Sequence, residues 1–223
     1  MQPDFAAVME RMRRLRAGIS EHDSVQRLAD AGVDVFLGSA EFVEPGLVRV
    51  DDGCELRYSK AVIATGARAW HPPVDGLEEA GFLTNENVFE LTELPPRLGV
   101  LGAGPIGCEL SQTFQRLGSQ VAVFEQKDRI LSKEDADASE ILLCRFQQEG
   151  IDVRRNSEVC RVETTGDGKV ICYKQAGEEK RLTVDEILVG AGRAPNVQGL
   201  GLENVGVEFD ERHGIEIDDR LRT

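Results

Sequence analysis

Gly102-Ala103-Gly104-Pro105-Ile106-Gly107 decides the fold of this 223-residue chain, because of what stands on either side of it. Leu98-Gly99-Val100-Leu101 reads as a short buried strand running straight into the glycines. After them Ile106, Leu110, Phe114 and Leu117 recur at helical spacing, and Gly118 supplies a stop. Val121-Ala122-Val123-Phe124 is a second strand, and Glu125 follows it, 23 residues after Gly102. That interval is close to the roughly 20 residues that separate a phosphate-binding glycine turn from a ribose-binding acid. A stray G-x-G-x-x-G is weak evidence, but strand, loop, helix, strand and acid together predict a dinucleotide site.

Each residue of the stretch has a physical part to play. Gly102 permits the tight turn, Gly104 lets backbone approach a pyrophosphate, and Gly107 lets the helix pack close to the sheet. Ala103 and Ile106 complete the loop, and Pro105 suits a first helical position, where an N–H has no partner to lose. The open N–H groups and partial positive charge of the helix start favour a diphosphate. Glu125 accepts hydrogen bonds from ribose hydroxyls and repels a 2′-phosphate, so NAD(H) is expected over NADP(H). Lys127 and Arg129 weaken that preference without reversing it. The alternative is a glycine turn in a domain that binds nothing, and the full constellation argues against it.

The formal charge of −14 excludes nucleic acid and anionic membrane surfaces as natural partners. No segment approaches the roughly 20 apolar residues needed to cross a bilayer. Residues 1–16 mix acids and arginines without an apolar centre, unlike a secretory signal, and a cytoplasmic location is expected. The five cysteines (Cys54, Cys108, Cys144, Cys160, Cys172) are scattered, as suits reduced thiols. Cys108 follows Gly107 at a helix start, where a thiolate would be stabilised; packing between helix and sheet is the favoured reading. His22, His71 and His213 show no metal-ligand spacing, and no metal site is expected.

Outside the central stretch, residues 5–30 read as helix up to Gly32, and Val33-Asp34-Val35-Phe36 starts an extended segment. Residues 41–43, 47–50, 55–58 and 61–63 form an expected antiparallel meander, with turns at Pro45-Gly46 and Asp52-Gly53. A boundary is expected near Leu91, ahead of Pro95-Pro96. A second crossover helix fits residues 134–148, with Ser132 and Asp135 as a capping box and Gly150 as its end. Residues 152–155 read as a third parallel strand. Segments 158–164, 169–174 and 181–183 then turn antiparallel through Gly166-Asp167-Gly168. Residues 186–189 return as a buried strand into Gly190-Ala191-Gly192. The expected class is α/β, a Rossmann-type three-layer domain with a β-meander.

Three further stretches narrow the reading. Ala61-Val62-Ile63-Ala64-Thr65-Gly66, Leu83-Thr84-Asn85-Glu86-Asn87-Val88-Phe89 and Gly192-Arg193-Ala194-Pro195-Asn196 surround the glycine motif in that order. Together with it they resemble the flavin-dependent pyridine nucleotide–disulfide oxidoreductases. Residues 83–117, with Arg116-Leu117-Gly118-Ser119, are most similar to the mercuric-reductase-like branch. Dihydrolipoamide dehydrogenase and NADH oxidase of the same family are alternatives. A stand-alone NAD-binding sensor or partner module is an alternative from another class.

The resemblance implies a division of labour: NAD(P)H passes hydride to FAD, and the flavin reduces a cysteine pair. It implies that residues 1–90 are the back of an FAD-domain segment, 91–200 the NAD(P)-binding domain, and 201–223 the start of the return to the FAD and central domains. Thr65 and Gly66 then become flavin contacts, which the residues alone would leave as a strand-ending turn. Glu109 matches a glutamate beside the nicotinamide; on the sequence alone it is an acid in a helix's first turn. Val159 matches a residue near the adenine, or is an ordinary strand valine, and Gly192 one whose backbone nears the nicotinamide. Arg193 either positions the flavin or ties two domains together. A complete member carries its own FAD glycine motif, a redox cysteine pair and a C-terminal dimerisation domain. The chain is therefore expected to be a portion of a homodimeric flavoenzyme, binding NAD(H) but performing no turnover alone.

Overall fold

Strands buried on both faces form the heart of one compact unit in a computed structural model that describes residues 3–51 and 53–223. In chain order, α1 (Phe5–Ser20) and α2 (Val25–Asp30) precede β1 (Ala40–Glu44), β2 (Leu47–Val50), β3 (Cys54–Arg57) and β4 (Ala67–Ala69). A short helix, α3 (Leu77–Ala80), leads to β5 (Arg97–Leu101), α4 (Pro105–Leu117), β6 (Gln120–Phe124), α5 (Ala136–Gln148) and β7 (Asp152–Arg154). Then come β8 (Ser157–Thr165), β9 (Gly168–Gln175), β10 (Glu178–Val184), β11 (Glu186–Val189), β12 (Arg193–Pro195), β13 (Phe209–Asp210) and β14 (Gly214–Ile215).

The chain forms two units. The first joins the stretch ending at Leu15 to Ala69–Gly192; the second joins Arg16–Arg68 to Arg193–Thr223. In the first, a four-stranded sheet runs in the order β11-β5-β6-β7 with every pair parallel. Leu98, Val100, Val121, Val123 and Leu188 face one core, with Phe114 of α4 and Leu143 and Phe146 of α5. Leu101, Ala122, Phe124, Ile187 and Val189 face the other, against Val162, Ile171, Tyr173 and Val184 of the antiparallel β8-β9-β10 meander. A parallel sheet covered on both faces needs apolar residues in both phases of the pleat, and these strands have them. The result is the three-layer α/β arrangement expected from the sequence: helices, parallel sheet, meander.

The helical stripe differs from its sequence reading. The fully buried positions of α4 are Gly107, Cys108, Ser111 and Phe114, whereas Leu110 and Leu117 are only partly buried at the rim of the same core. Small residues occupy the centre because this helix lies close to the sheet. The expected helix over residues 5–30 is two helices. Ser24 interrupts it, its hydroxyl accepting from the Arg27 amide at 3.2 Å as the N-cap of α2. Asp135, not Ser132, is the N-cap of α5 and makes no side-chain capping bond; Ser132 Oγ instead accepts from Lys127 Nζ at 3.0 Å. The expected strand at residues 61–63 joins no ladder among the described residues, and Val62 is 91% exposed, because a strand persists only beside a partner. Of the expected Asp52-Gly53 turn, Asp52 lies outside the described residues.

The compact unit also reaches upstream of Leu91. Leu77 and Val88 are each 1% exposed in the two cores, and Leu83 bridges Leu188 at the end of β11. Within the second unit, β1, β2 and β3 form the antiparallel meander, β4 pairs with β12, and β13 with β14. The Phe42 amide donates to Leu200 O at 2.8 Å, and Asn204 Nδ2 donates to Phe42 O at 2.8 Å. These bonds knit the meander to the C-terminal stretch. No helix among the described residues is long and apolar enough to cross a membrane.

One polar clamp joins the layers of the first unit. Asp185, between β10 and β11, accepts from the Arg97 amide at 2.7 Å and from its guanidinium at 2.6 and 3.0 Å, and Arg97 also donates to Asp167 O at 2.8 Å. The Arg97 guanidinium holds the Asp185 carboxyl below the usual carboxylate range. A depressed folded value stabilises the protein above the unfolded value of about 4, and that contribution is lost as pH falls through the folded value. Asp185→Asn is therefore expected to melt a few degrees below wild type at pH 7, with the gap narrowing progressively as pH falls below about 4, in thermal unfolding followed by circular dichroism.

Candidate nucleotide site

Three backbones converge where β5 ends, α4 begins and β11 ends. Gly102, at φ +99°, carries the chain off β5. A Cβ there would stand 2.8 Å from Gly190 O. A Cβ on Gly107 would overlap the Gly102 carbonyl, and one on Gly190 would lie 3.0 Å from Gly107 Cα. Gly190 has a place in this junction that the motif reading missed, although the small-residue run Gly190-Ala191-Gly192 is its visible signal. Gly104 is the N-cap of α4 and Pro105 its first residue. The nearest atom to a Cβ placed on Gly104 is Gly190 O at 3.9 Å, so space stands open above it.

The amides of the loop divide into two sets. Gly102 N donates to Phe124 O at 2.8 Å and Ala103 N to a Glu125 carboxylate oxygen at 2.9 Å. Those of Gly104, Ile106 and Gly107 donate to no acceptor among the described residues. Three open N–H groups at the positive end of a thirteen-residue helix suit an anion, and a diphosphate is the anion that a glycine loop with open space above it can admit.

Glu125 sits at the C-terminal end of β6, half-buried. Its other oxygen accepts from Lys127 N at 2.9 Å. An ionised carboxylate has about four lone-pair sites, so two backbone donors leave capacity for hydroxyl donors. The neighbouring cations are tethered: Lys127 Nζ to Ser132 Oγ at 3.0 Å, and Arg129 Nη2 to the carbonyls of Ser132 and Glu134 at 3.0 Å each.

The remaining predicted residues are spread more widely. Glu109 is exposed and is the fifth residue of α4, beyond its first turn, so the reading of it as a first-turn acid is corrected. Counting from Gly104 as the cap makes this plain; the glycine motif alone does not show where the helix starts. Val159 lies in β8 beside a bulge, partly buried against the meander-side core. It pairs with Tyr173, whose ring packs edge-on to Phe124 at 4.9 Å, while the Arg154 guanidinium stacks 5.0 and 5.4 Å from the two rings. Gly192 is exposed at φ +138°, with its carbonyl accepting from Trp70 N at 3.1 Å. Thr65 and Gly66 belong to the second unit, both exposed, with Gly66 at φ +67° and open space where a Cβ would stand.

Cys108 is packed, 4% exposed, with its thiol donating to Ala103 O at 3.4 Å. Burial, with Glu125 and Glu109 adding to it, pushes the thiol up to about 12, so it is a core side chain and no nucleophile. Iodoacetamide at pH 8 is therefore expected to modify exposed Cys144 in the native protein and Cys108 only after unfolding, as read by peptide mass mapping.

The whole described chain resembles known proteins. A family model described as pyridine nucleotide-disulphide oxidoreductase matches residues 3–223. A mercuric reductase of Bacillus cereus is 32% identical over 220 residues, covering 99% of this chain and 35% of that protein. A dihydrolipoyl dehydrogenase of Haloferax volcanii is 31% identical, covering 96% of this chain and 47% of that one. Among solved structures, the HOCl-induced flavoprotein disulfide reductase RclA of Escherichia coli superimposes with a TM-score of 0.88 at 30% identity, over 99% of this chain and 50% of its own. The chain thus spans between about a third and a half of the length of these relatives.

Proposed function

Because this chain belongs to the pyridine nucleotide-disulphide oxidoreductase family, we propose that residues 102–107 and Glu125 bind NAD(H), and that the whole protein is an FAD- and NAD(P)H-dependent oxidoreductase of the mercuric-reductase-like branch. The observation that carries the reading is the junction of Gly102, Gly104, Gly107 and Gly190, which leaves three amides at the helix start without an acceptor among the described residues, with open space at Gly104 and the Glu125 carboxylate bonded to the same loop. When bound, NAD(H) supplies a hydride and FAD receives it, while the protein contributes binding, orientation and electrostatics.

The roles follow from the chemistry of each group. The Gly104, Ile106 and Gly107 amides hold the pyrophosphate, and Ala103 and Pro105 fix the loop that presents them. Glu125 accepts from the adenosine ribose and, being anionic, disfavours a 2′-phosphate, which supports NAD(H) over NADP(H). The tethering of Lys127 and Arg129 to other oxygens supports the same preference. Gly192 leaves backbone room at the nicotinamide end, Glu109 orients the ring, and Val159 lines the adenine side. Thr65 and Gly66 touch FAD, which their exposure and the open space at Gly66 support. The electrons leave to a cysteine pair outside these residues, and the whole protein is a homodimer working in the cytoplasm.

Glu125→Ala tests the site. It removes the ribose acceptor and frees the Ala103 and Lys127 amides, so NADH affinity is expected to fall about ten-fold and NADPH affinity less, narrowing the ratio between them. Titration by NADH and NADPH fluorescence measures both, and unchanged affinities for the two nucleotides would sink the assignment.

A further inference from the structure

We propose that Asn196 is a positioning residue that sets which groups the Thr65-Gly66 turn presents to its ligand. The inference rests on the flavin assignment of that turn made above. Every polar group of Asn196 is engaged within the second unit. Its side-chain amide donates through Nδ2 to Thr65 O at 3.0 Å, and its backbone amide donates to Gly66 O at 3.0 Å. Its own carbonyl accepts from Thr65 Oγ1 at 2.7 Å. Its Oδ1 accepts from Arg68 Nη1 at 3.2 Å, and the same guanidinium nitrogen reaches Pro195 O at 3.3 Å. Arg193 Nη2 completes the set from the opposite strand, donating to Ala67 O at 2.9 Å.

This bonding has a consequence for chemistry. A left-handed Gly66, with no side chain of its own, has nothing local to hold it, so its conformation depends on its flanks. Asn196 consumes both carbonyls of the turn and the Thr65 hydroxyl proton. The Thr65 and Gly66 amides donate to no acceptor among the described residues, and both residues are exposed. The turn therefore shows donors outward and keeps its acceptors inward. It suits an acceptor-rich group, as the carbonyl and ring-nitrogen edge of an isoalloxazine or a phosphate oxygen is. Arg68 on Oδ1 and the Thr65 carbonyl on Nδ2 permit one orientation of the Asn196 amide, so the residue type is specified and not merely its size.

The test uses the FAD-loaded whole protein with Asn196→Ala and Asn196→Asp. The aspartate keeps the backbone and the Arg68 partner, so it preserves the fold if alanine does not, yet it sets an oxygen against the Thr65 carbonyl. Three quantities are read: FAD release on dilution, from the return of flavin fluorescence; amide exchange at residue 196; and NADH affinity. Both variants are expected to bind FAD about ten-fold more weakly, with a shifted visible flavin band, to exchange the residue 196 amide faster, and to leave NADH affinity unchanged. FAD release and exchange both at wild-type values overturn the proposal. Equal loss of NADH and FAD binding also overturns it, since that marks a general structural role. Faster exchange with unchanged FAD binding leaves the positioning of the turn by Asn196 standing and removes the flavin assignment of Thr65 and Gly66 instead.

Discussion

Gly102, Gly107 and Gly190 bring three backbones to contact distance at one point, and the rest of the first unit depends on that approach. No side chain fits between them: a methyl group on any of the three meets main-chain atoms of another. The cost of so many glycines is conformational freedom surrendered on folding. What results is a helix seated against the sheet, its first amides without an acceptor among the described residues and with open space at Gly104. A helix held one side chain further out would not bring its first amides this close to the ends of β5 and β11.

That seating explains the unequal faces of the sheet. On the helix side the first turns of α4 bury the small residues Gly107, Cys108 and Ser111, and bulk comes from Phe114 further along it and from Leu143 and Phe146 of α5. On the other side, Gly99 makes way for Ile171 of the meander, whose tip would collide with a Cβ there. The Arg97–Asp185 pair links the sheet to the meander's end where apolar packing gives way to solvent. Glu149 does the equivalent work for the helices, drawing Gln112 and Arg116 of α4 and Arg145 of α5 to one carboxylate.

The second unit is held by a different principle. Its two stretches are far apart in sequence, and each buries a few apolar residues: Leu47 and Val50 in one, Val197 and Leu202 in the other. Its order comes largely from hydrogen bonds that cross between the stretches: Phe42 with Leu200 and Asn204, and Thr65 and Gly66 with Asn196. Hydrogen bonds near solvent are individually modest. Their directionality nevertheless fixes which backbone groups point outward, and a binding surface needs that more than it needs depth.

Local signals in the sequence were sufficient for the order of strands and helices in the first unit. Short continuous apolar runs, helix-spaced apolar residues and glycine punctuation are short-range patterns, so the strands at 98–101, 121–124 and 186–189 and the glycine loop between strand and helix could be read directly from residue order. Glu125 at the end of β6 was legible for the same reason. What depended on distant partners was not. The sequence showed Val62 in an apolar run, but a strand needs a neighbour, and none pairs with it among the described residues. Ser24 splitting a helix, Glu109 falling beyond the first turn and the small-residue face of α4 all follow from where the helices start and how closely they pack. Gly190 beneath the loop and Asn196 locked to Thr65 are tertiary facts in the strict sense. Each joins residues roughly 80 to 130 positions apart, and no periodicity or spacing carries that information.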